Sequence, residues 1–187
     1  QRELRDLARG YMAAGDYVKA ADLYREILSQ VPDDATAAAG LERADELQVL
    51  ATAYDRALEL TQEERWDEAL DLWQEILAAD PNFRDVKRWI SSVQEQDTLR
   101  SLFQEAEARY RRKDWSGVIE LLEQVRGQNA NYRRDDVEAL LIDSLVNLAK
   151  EMLEEAANPA DVYNQVIELF DKAIKIHPQD ETVLTER

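Results

Sequence analysis

The stretch from Asp16 to Pro32 returns three more times in altered form. Its aromatic second residue recurs as Tyr17, Trp66, Trp115 and Tyr163, at spacings of 49, 49 and 48 residues. A chain that repeats at such an interval stacks copies of one supersecondary unit, because no copy can bury its apolar face alone. Small or β-branched residues recur at Ala20, Ala69, Val118 and Val166, followed by Leu23, Leu72, Leu121 and Leu169. Bulky residues follow at Tyr24, Trp73, Leu122 and Phe170, then Ile27, Ile76, Val125 and Ala173. Intervals of three and four residues place these side chains on one face of an α-helix, whereas a strand would alternate. Asp16 and Asp114 stand where a short acidic side chain caps a helix N-terminus. Pro32, Pro81 and Pro178 close three of the helices, and the third copy has Ala130 instead.

Composition narrows the class of function. With 23 basic and 40 acidic residues the chain carries a net charge of −17, which repels nucleic-acid phosphates. Five glycines and four prolines among 187 residues, 45% of them hydrophobic, argue for a packed helical chain rather than a loop-rich or disordered one. The absence of cysteine excludes disulfides, thiolate metal sites and thiol catalysis, and it fits a reducing compartment. No apolar run reaches the ~20 residues that span a bilayer, and no signal peptide opens the sequence. A cytoplasmic protein without direct membrane contact is the expectation. The chain starts at Gln1 without an initiator methionine, which reads as a piece of something longer.

In chain order, Arg2 to Ala14 reads as a first helix with Leu4, Leu7, Ala8 and Tyr11 on one stripe, ended by Gly15. From Ala35 to Glu64 the apolar spacing persists through Leu41, Ala44, Leu47, Ala51, Tyr54, Ala57 and Leu60, giving one helix of ~30 residues. Val86 to Ala106 repeats this pattern, with a polar interruption at Gln94 to Asp97 that leaves open whether the helix is continuous or has a kink or boundary at Asp97-Thr98. Asp135 to Glu155 forms the next long helix and Asn158-Pro159 its turn. Gln179 to Arg187 starts another helix.

Ala8, Tyr11, Gly15, Tyr17, Ala20, Tyr24 and Pro32 resemble the consensus of the tetratricopeptide repeat family, closely in the first two copies and more loosely in the last two. Ile27 departs from the alanine usual there, and the 49-residue period exceeds the ~34 of the family. The resemblance implies an all-α, right-handed α-solenoid of about four helix pairs with elongated first helices. A single solenoid is expected, with repeats near 1–34, 35–83, 84–132 and 133–180 and a further or capping helix at 181–187. Arrays of this look resemble modules of large bacterial proteins, some attached to kinase domains or membrane anchors. In the family, a peptide lies on the concave surface formed by first helices. By that resemblance the groove residues would be Arg2, Arg5, Arg9 and Met12, then Tyr54, Leu58 and Gln62, then Arg100, Phe103, Glu107 and Arg111. Chaperone-binding members hold a terminal carboxylate with a lysine and two asparagines. Arg5, Arg9 and Leu58 occupy those places here, so chaperone tails are not the expected ligand.

Arg2, Arg5 and Arg9 share one helix face, and their guanidinium forks suit an acidic or C-terminal carboxylate peptide. The alternative is that they pair with nearby Asp and Glu on a solvated face. Leu41, Val86, Trp89, Ile90 and Val93 form an apolar stripe to be covered by neighbouring helices or by a second copy of the chain. Tyr17, Trp66, Trp115 and Tyr163 read as packing anchors. The basic run Arg109, Arg111, Arg112, Lys113 reads as a solvated helix end, with Tyr110 taking the packing role that Tyr11 has in the first copy. His177 is the one histidine and reads as a helix C-terminal cap. It leaves no catalytic triad, no di-iron ligand set, no phosphate loop and no zinc motif. A non-catalytic protein-interaction module or scaffold without cofactor is therefore expected. The alternative is a spacer or homo-oligomerisation element in a larger signalling protein.

Overall fold

The computed structural model describes residues 2–177, among which there are eight α-helices and no strand. Helices α1 (Arg2–Ala14), α3 (Ala35–Gln62), α5 (Val86–Arg111) and α7 (Arg134–Glu155) alternate with α2 (Tyr17–Gln30), α4 (Trp66–Ala79), α6 (Trp115–Gln128) and α8 (Tyr163–Ile176). Each of the four even-numbered helices has 14 residues and starts on the recurring aromatic. Helix α3 runs unbroken for 28 residues, about 42 Å at the α-helical rise. Helix α5 is also continuous through Gln94–Asp97, which settles the open question at Asp97-Thr98 in favour of one helix. Four polar residues interrupt an apolar stripe without removing any backbone hydrogen bond, so the helix has no local reason to stop. Pro178 and the helix expected from Gln179 onward lie outside the described residues.

The turns repeat as faithfully as the helices. Gly15, Glu64 and Lys113 all adopt left-handed backbone, with φ of +79°, +58° and +60°. After each of them a backbone N–H reaches five residues back: Asp16 to Tyr11 at 3.0 Å, Arg65 to Leu60 at 3.0 Å and Asp114 to Arg109 at 3.1 Å. This is the Schellman closure of a helix, which favours glycine at the left-handed position. A side chain there costs about 1–2 kcal/mol, partly repaid by lower chain entropy. Glu64→Gly and Lys113→Gly are therefore each expected to stabilise the fold by about 0.5–1 kcal/mol, read as a higher urea midpoint.

Capping follows the sequence at Asp16 and Asp114, whose carboxylates accept from the Lys19 and Gly117 N–H groups. At the other ends proline follows the C-caps of α2 and α4, as Pro32 and Pro81, but not that of α6. Asp80 and Asn129 occupy equivalent C-cap positions, and each side chain accepts the backbone N–H two residues on, from Asn82 and Asn131 at 3.0 Å. The Asx turn thus closes α6 without proline, with Ala130 where α4 has Pro81.

The chain divides into two compact units between Gln94 and Glu95. In the first unit, one core gathers Ala8, Ala20, Ala21, Tyr24, Ile27, Ala37 and Ala44, from α1, α2 and the first half of α3. A separate core gathers Tyr54, Ala57, Leu60, Ala69, Trp73, Ile76, Phe83, Val86 and Val93, from the second half of α3, from α4, from the turn after it and from the start of α5. The long helix is thus shared, and its two halves serve different cores. In the second unit, a single core runs from Leu99 and Phe103 through Val118, Leu122, Leu141 and Leu145 to Phe170 and Ala173.

The expected apolar stripe is covered within the chain. Val86 and Val93 are buried, and Trp89 stacks on Trp73 with centroids 5.8 Å apart and rings 4° from parallel. Of the four aromatic anchors, Tyr17 is buried and Trp66 and Trp115 are half-buried, but Tyr163 is 54% exposed. Helix α8 is entered through a 3-10 turn, Pro159–Asp161, instead of the left-handed closure used by the other three. Val162, one residue earlier, packs against the core in place of Tyr163.

Candidate functional site

The second unit holds an open cleft of about 360 Å³ between the C-terminal half of α5 and the N-terminal half of α7. Phe103, Glu107 and Tyr110 line it from α5, and Arg133, Asp136, Ala139, Leu140 and Asp143 line it from the other side. Phe103 is itself 2% exposed, so it forms the floor rather than a projecting contact. The Arg133 guanidinium lies 4.4 Å from the centre of that ring and donates to the Asp136 carboxylate at 2.9–3.0 Å. At the opposite end the Tyr110 hydroxyl donates to the Asp143 carboxylate, which raises the Tyr110 pKa, with partial burial adding to the effect. The Tyr110 ring meets Trp115 edge-on at 5.3 Å, so Tyr110 does take the packing role.

The first unit has residues at equivalent positions, 49 or 98 places earlier, and uses different chemistry there. Arg5 and Tyr54 precede Phe103 in the repeat, and Arg9 and Leu58 precede Glu107. Arg5 donates to Asp34, whose side chain is only 7% exposed and which also caps α3 through the Thr36 and Ala37 N–H groups. The guanidinium of Arg5, followed by those backbone donors, pulls the Asp34 pKa below the usual carboxylate range. Tyr54 is 8% exposed: its hydroxyl donates to Asp85 at 2.5 Å and accepts from the Trp89 indole N–H at 3.0 Å. Burial, followed by that carboxylate, raises the Tyr54 pKa, while the hydroxyl lowers that of Asp85. Arg84 lies over the Tyr54 and Phe83 rings at 4.7 and 5.1 Å, matching Arg133 over Phe103.

The other expected groove residues divide by exposure. Arg2, Arg9, Gln62 and Arg111 are exposed, and Glu107 is half-buried. Met12 and Leu58 are half-buried against the cores of their own helices. Arg9 lies 3.7 Å from Asp6, and Arg100 donates to Asp97. The basic run is likewise engaged, Arg109 with Glu105 and Asp114 and Arg112 with Glu105. Arg84 and Arg133 went unnoticed in the sequence, although Phe83-Arg84 and Tyr132-Arg133 repeat at the 49-residue spacing and could have drawn attention. Both arginines have left-handed backbone, with φ of +45° and +40°, and they reach the equivalent aromatics Tyr54 and Phe103.

Residues 2–45 match the model of the tetratricopeptide repeat family. That segment holds α1, α2 and the part of α3 that completes their core. The first repeat is thus similar to a tetratricopeptide repeat. Tetratricopeptide repeats generally mediate protein–protein interaction or scaffolding and are generally non-catalytic. No curated protein matches the chain. No helix among the described residues is long and apolar enough to cross a membrane.

Three carboxylates at the cores and turns tie stability to pH. Asp34, Asp80 and Asp85 have lowered pKa values because Arg5, Arg43 and the Tyr54 hydroxyl respectively donate to them. A carboxylate whose folded pKa is depressed stabilises the fold above its unfolded pKa of ~3.9, and that contribution fades as pH falls through the folded value. Nothing from these groups changes between pH 7 and pH 5. Below about pH 4 the urea midpoint is expected to fall, and to fall less in an Asp34→Asn, Asp80→Asn variant. That difference separates the paired carboxylates from the opposing relief of self-repulsion as the −17 chain takes up protons.

Proposed function

We propose that the chain is a non-catalytic protein-interaction module that binds a peptide or partner protein in the clefts beside its odd-numbered helices. The observation that carries this reading is the open cleft between α5 and α7, which combines an aromatic floor with polar and charged walls. The α1 face offers a second contact through Arg2 and Arg9, both exposed, which suits an acidic or carboxylate-ended segment. Arg5 supports that face from behind through its bond to Asp34. The cytoplasm and a larger parent protein fit this role.

The test is affinity capture with wild-type chain beside Arg2→Glu, Arg9→Glu and, separately, Glu107→Lys, Asp143→Lys. Arg5 is left intact so that the Asp34 pair survives. A partner retained by wild type and lost, by tenfold or more in affinity, on one of the variants supports the reading. Equal capture by all three chains overturns it.

Self-association is the second reading, and one place on the surface favours it. Val49 on α3 is 69% exposed between two depressions of about 400 and 430 Å³, whose lining includes Leu50, Ala53, Leu72 and Ala79. Sedimentation at high concentration is expected to show a monomer. A dimer abolished by Val49→Lys would favour assembly instead.

A further inference from the structure

Equivalent positions of the repeat carry opposite charge. Where α1 has Arg9 the third copy has Glu107, and where α1 has Met12 it has Tyr110. In the α5–α7 cleft one acid, Asp136, is matched by Arg133. Glu107 has no ion pair among the described residues, and Asp143 accepts only from neutral donors there, Tyr110 and Asn147. The cleft therefore presents two unmatched carboxylates beside an aromatic hydroxyl, in a chain of net charge −17.

A second feature points the same way. The wall of this cleft already holds a cation, since the Arg133 guanidinium sits on the Phe103 face with Asp136 at its edge. The same seat recurs in the first unit, with Arg84 on Tyr54 and Phe83. Aromatic face plus carboxylate is thus an arrangement that this fold builds for cationic side chains. Arg133 fills only the Phe103 end. The Tyr110, Glu107 and Asp143 end offers an aromatic ring and two carboxylates without a cation.

From this we infer that the α5–α7 cleft receives a lysine or arginine side chain from an extended segment of a partner polypeptide. Its ammonium or guanidinium lies between Glu107 and Asp143, and its methylene stem lies along Tyr110 and Leu140. Like charge excludes an acidic segment from this cleft. This assignment rests on the protein-interaction reading and adds the sign of charge to it.

The test is a titration of the full chain with two nonapeptides, one alternating lysine and glycine and one alternating glutamate and glycine, followed by amide chemical shifts. The lysine peptide is expected to shift Glu107, Tyr110 and Asp143 saturably. Glu107→Gln with Asp143→Asn should weaken its binding by about tenfold or more, since hydrogen bonds to charged groups are lost. Glu120→Gln with Glu123→Gln removes the same charge from exposed positions of α6 and should leave the affinity unchanged. An equal loss in that control would reduce the effect to general attraction by an acidic chain and overturn the assignment. Shifts at the cleft from the glutamate peptide alone would overturn the sign of charge and leave the interaction reading standing. No shift from either peptide would sink both.

Discussion

Trp73→Ala is expected to lower stability by about 3–5 kcal/mol, the cost of emptying a large aromatic site in a core. Trp73 is fully buried. It meets the Tyr54 ring edge-on at 5.0 Å, stacks on Trp89 at 5.8 Å and donates its indole N–H to the Thr61 hydroxyl at 3.1 Å. Truncation removes the contact surface for both partner rings and leaves the Thr61 hydroxyl without that donor. Trp73→Phe keeps one ring and should cost less than half as much. The measurement is thermal unfolding followed by near-ultraviolet circular dichroism, with a fall in Tm of about 10 °C or more for alanine. An unchanged transition would mean that α3, α4 and α5 do not share this core.

Gly40→Val should cost about 3 kcal/mol or more, although a helix ordinarily gains from replacing glycine. A Cβ at Gly40 would stand 2.5 Å from Cζ and 2.6 Å from Cε1 of Tyr24, whose ring is 6% exposed and held in the first core. The ring cannot yield without leaving its seat. Gly40 occupies the place that Trp89 fills one repeat later, opposite Trp73, so a tyrosine against bare backbone in one copy corresponds to two stacked indoles in the next. Gly10→Ala provides the contrast. No heavy atom lies within 4 Å of its would-be Cβ, and about 0.5–1 kcal/mol of stabilisation is expected from helix propensity. Urea unfolding of the two variants reads the difference, and adding Tyr24→Leu to Gly40→Val should recover part of its loss.

The helices were legible because their signals are local. Apolar intervals of three and four residues, the caps Asp16 and Asp114 and the break at Gly15 correspond to helices whose ends agree with the sequence reading to within a residue or two. The left-handed turns at Glu64 and Lys113 were less legible, because the residues that occupy them are not the ones that the conformation favours. The exposure of Tyr163 was hidden by its alignment with Tyr17, since only the 3-10 entry to α8 moves the packing duty to Val162. Candidate contacts were harder again. The α5 positions Phe103 and Glu107 do line the one cleft described above for the second unit, whereas Tyr54 is engaged with Asp85 and Trp89 and Arg5 with Asp34. Those partners lie 29 to 35 residues away along the chain, beyond what a pattern on a single helix reveals. The seats of Arg84 on Tyr54 and of Arg133 on Phe103 likewise join residues far apart in the chain, through left-handed turns that arginine does not signal.

The undivided course of α3 makes the spacing of the first two cores an angular quantity as well as a length. Ala44 belongs to one core and Leu47 packs against the next, with no loop between them to absorb an error. One residue inserted between them would turn every later side chain of the helix by about 100°, carrying Tyr54 and Ala57 out of the second core. Seven residues would restore the facing to within about 20° while pushing the cores apart by about 10 Å. Length variation at this joint is therefore confined to steps near whole numbers of helical turns, as on a screw thread.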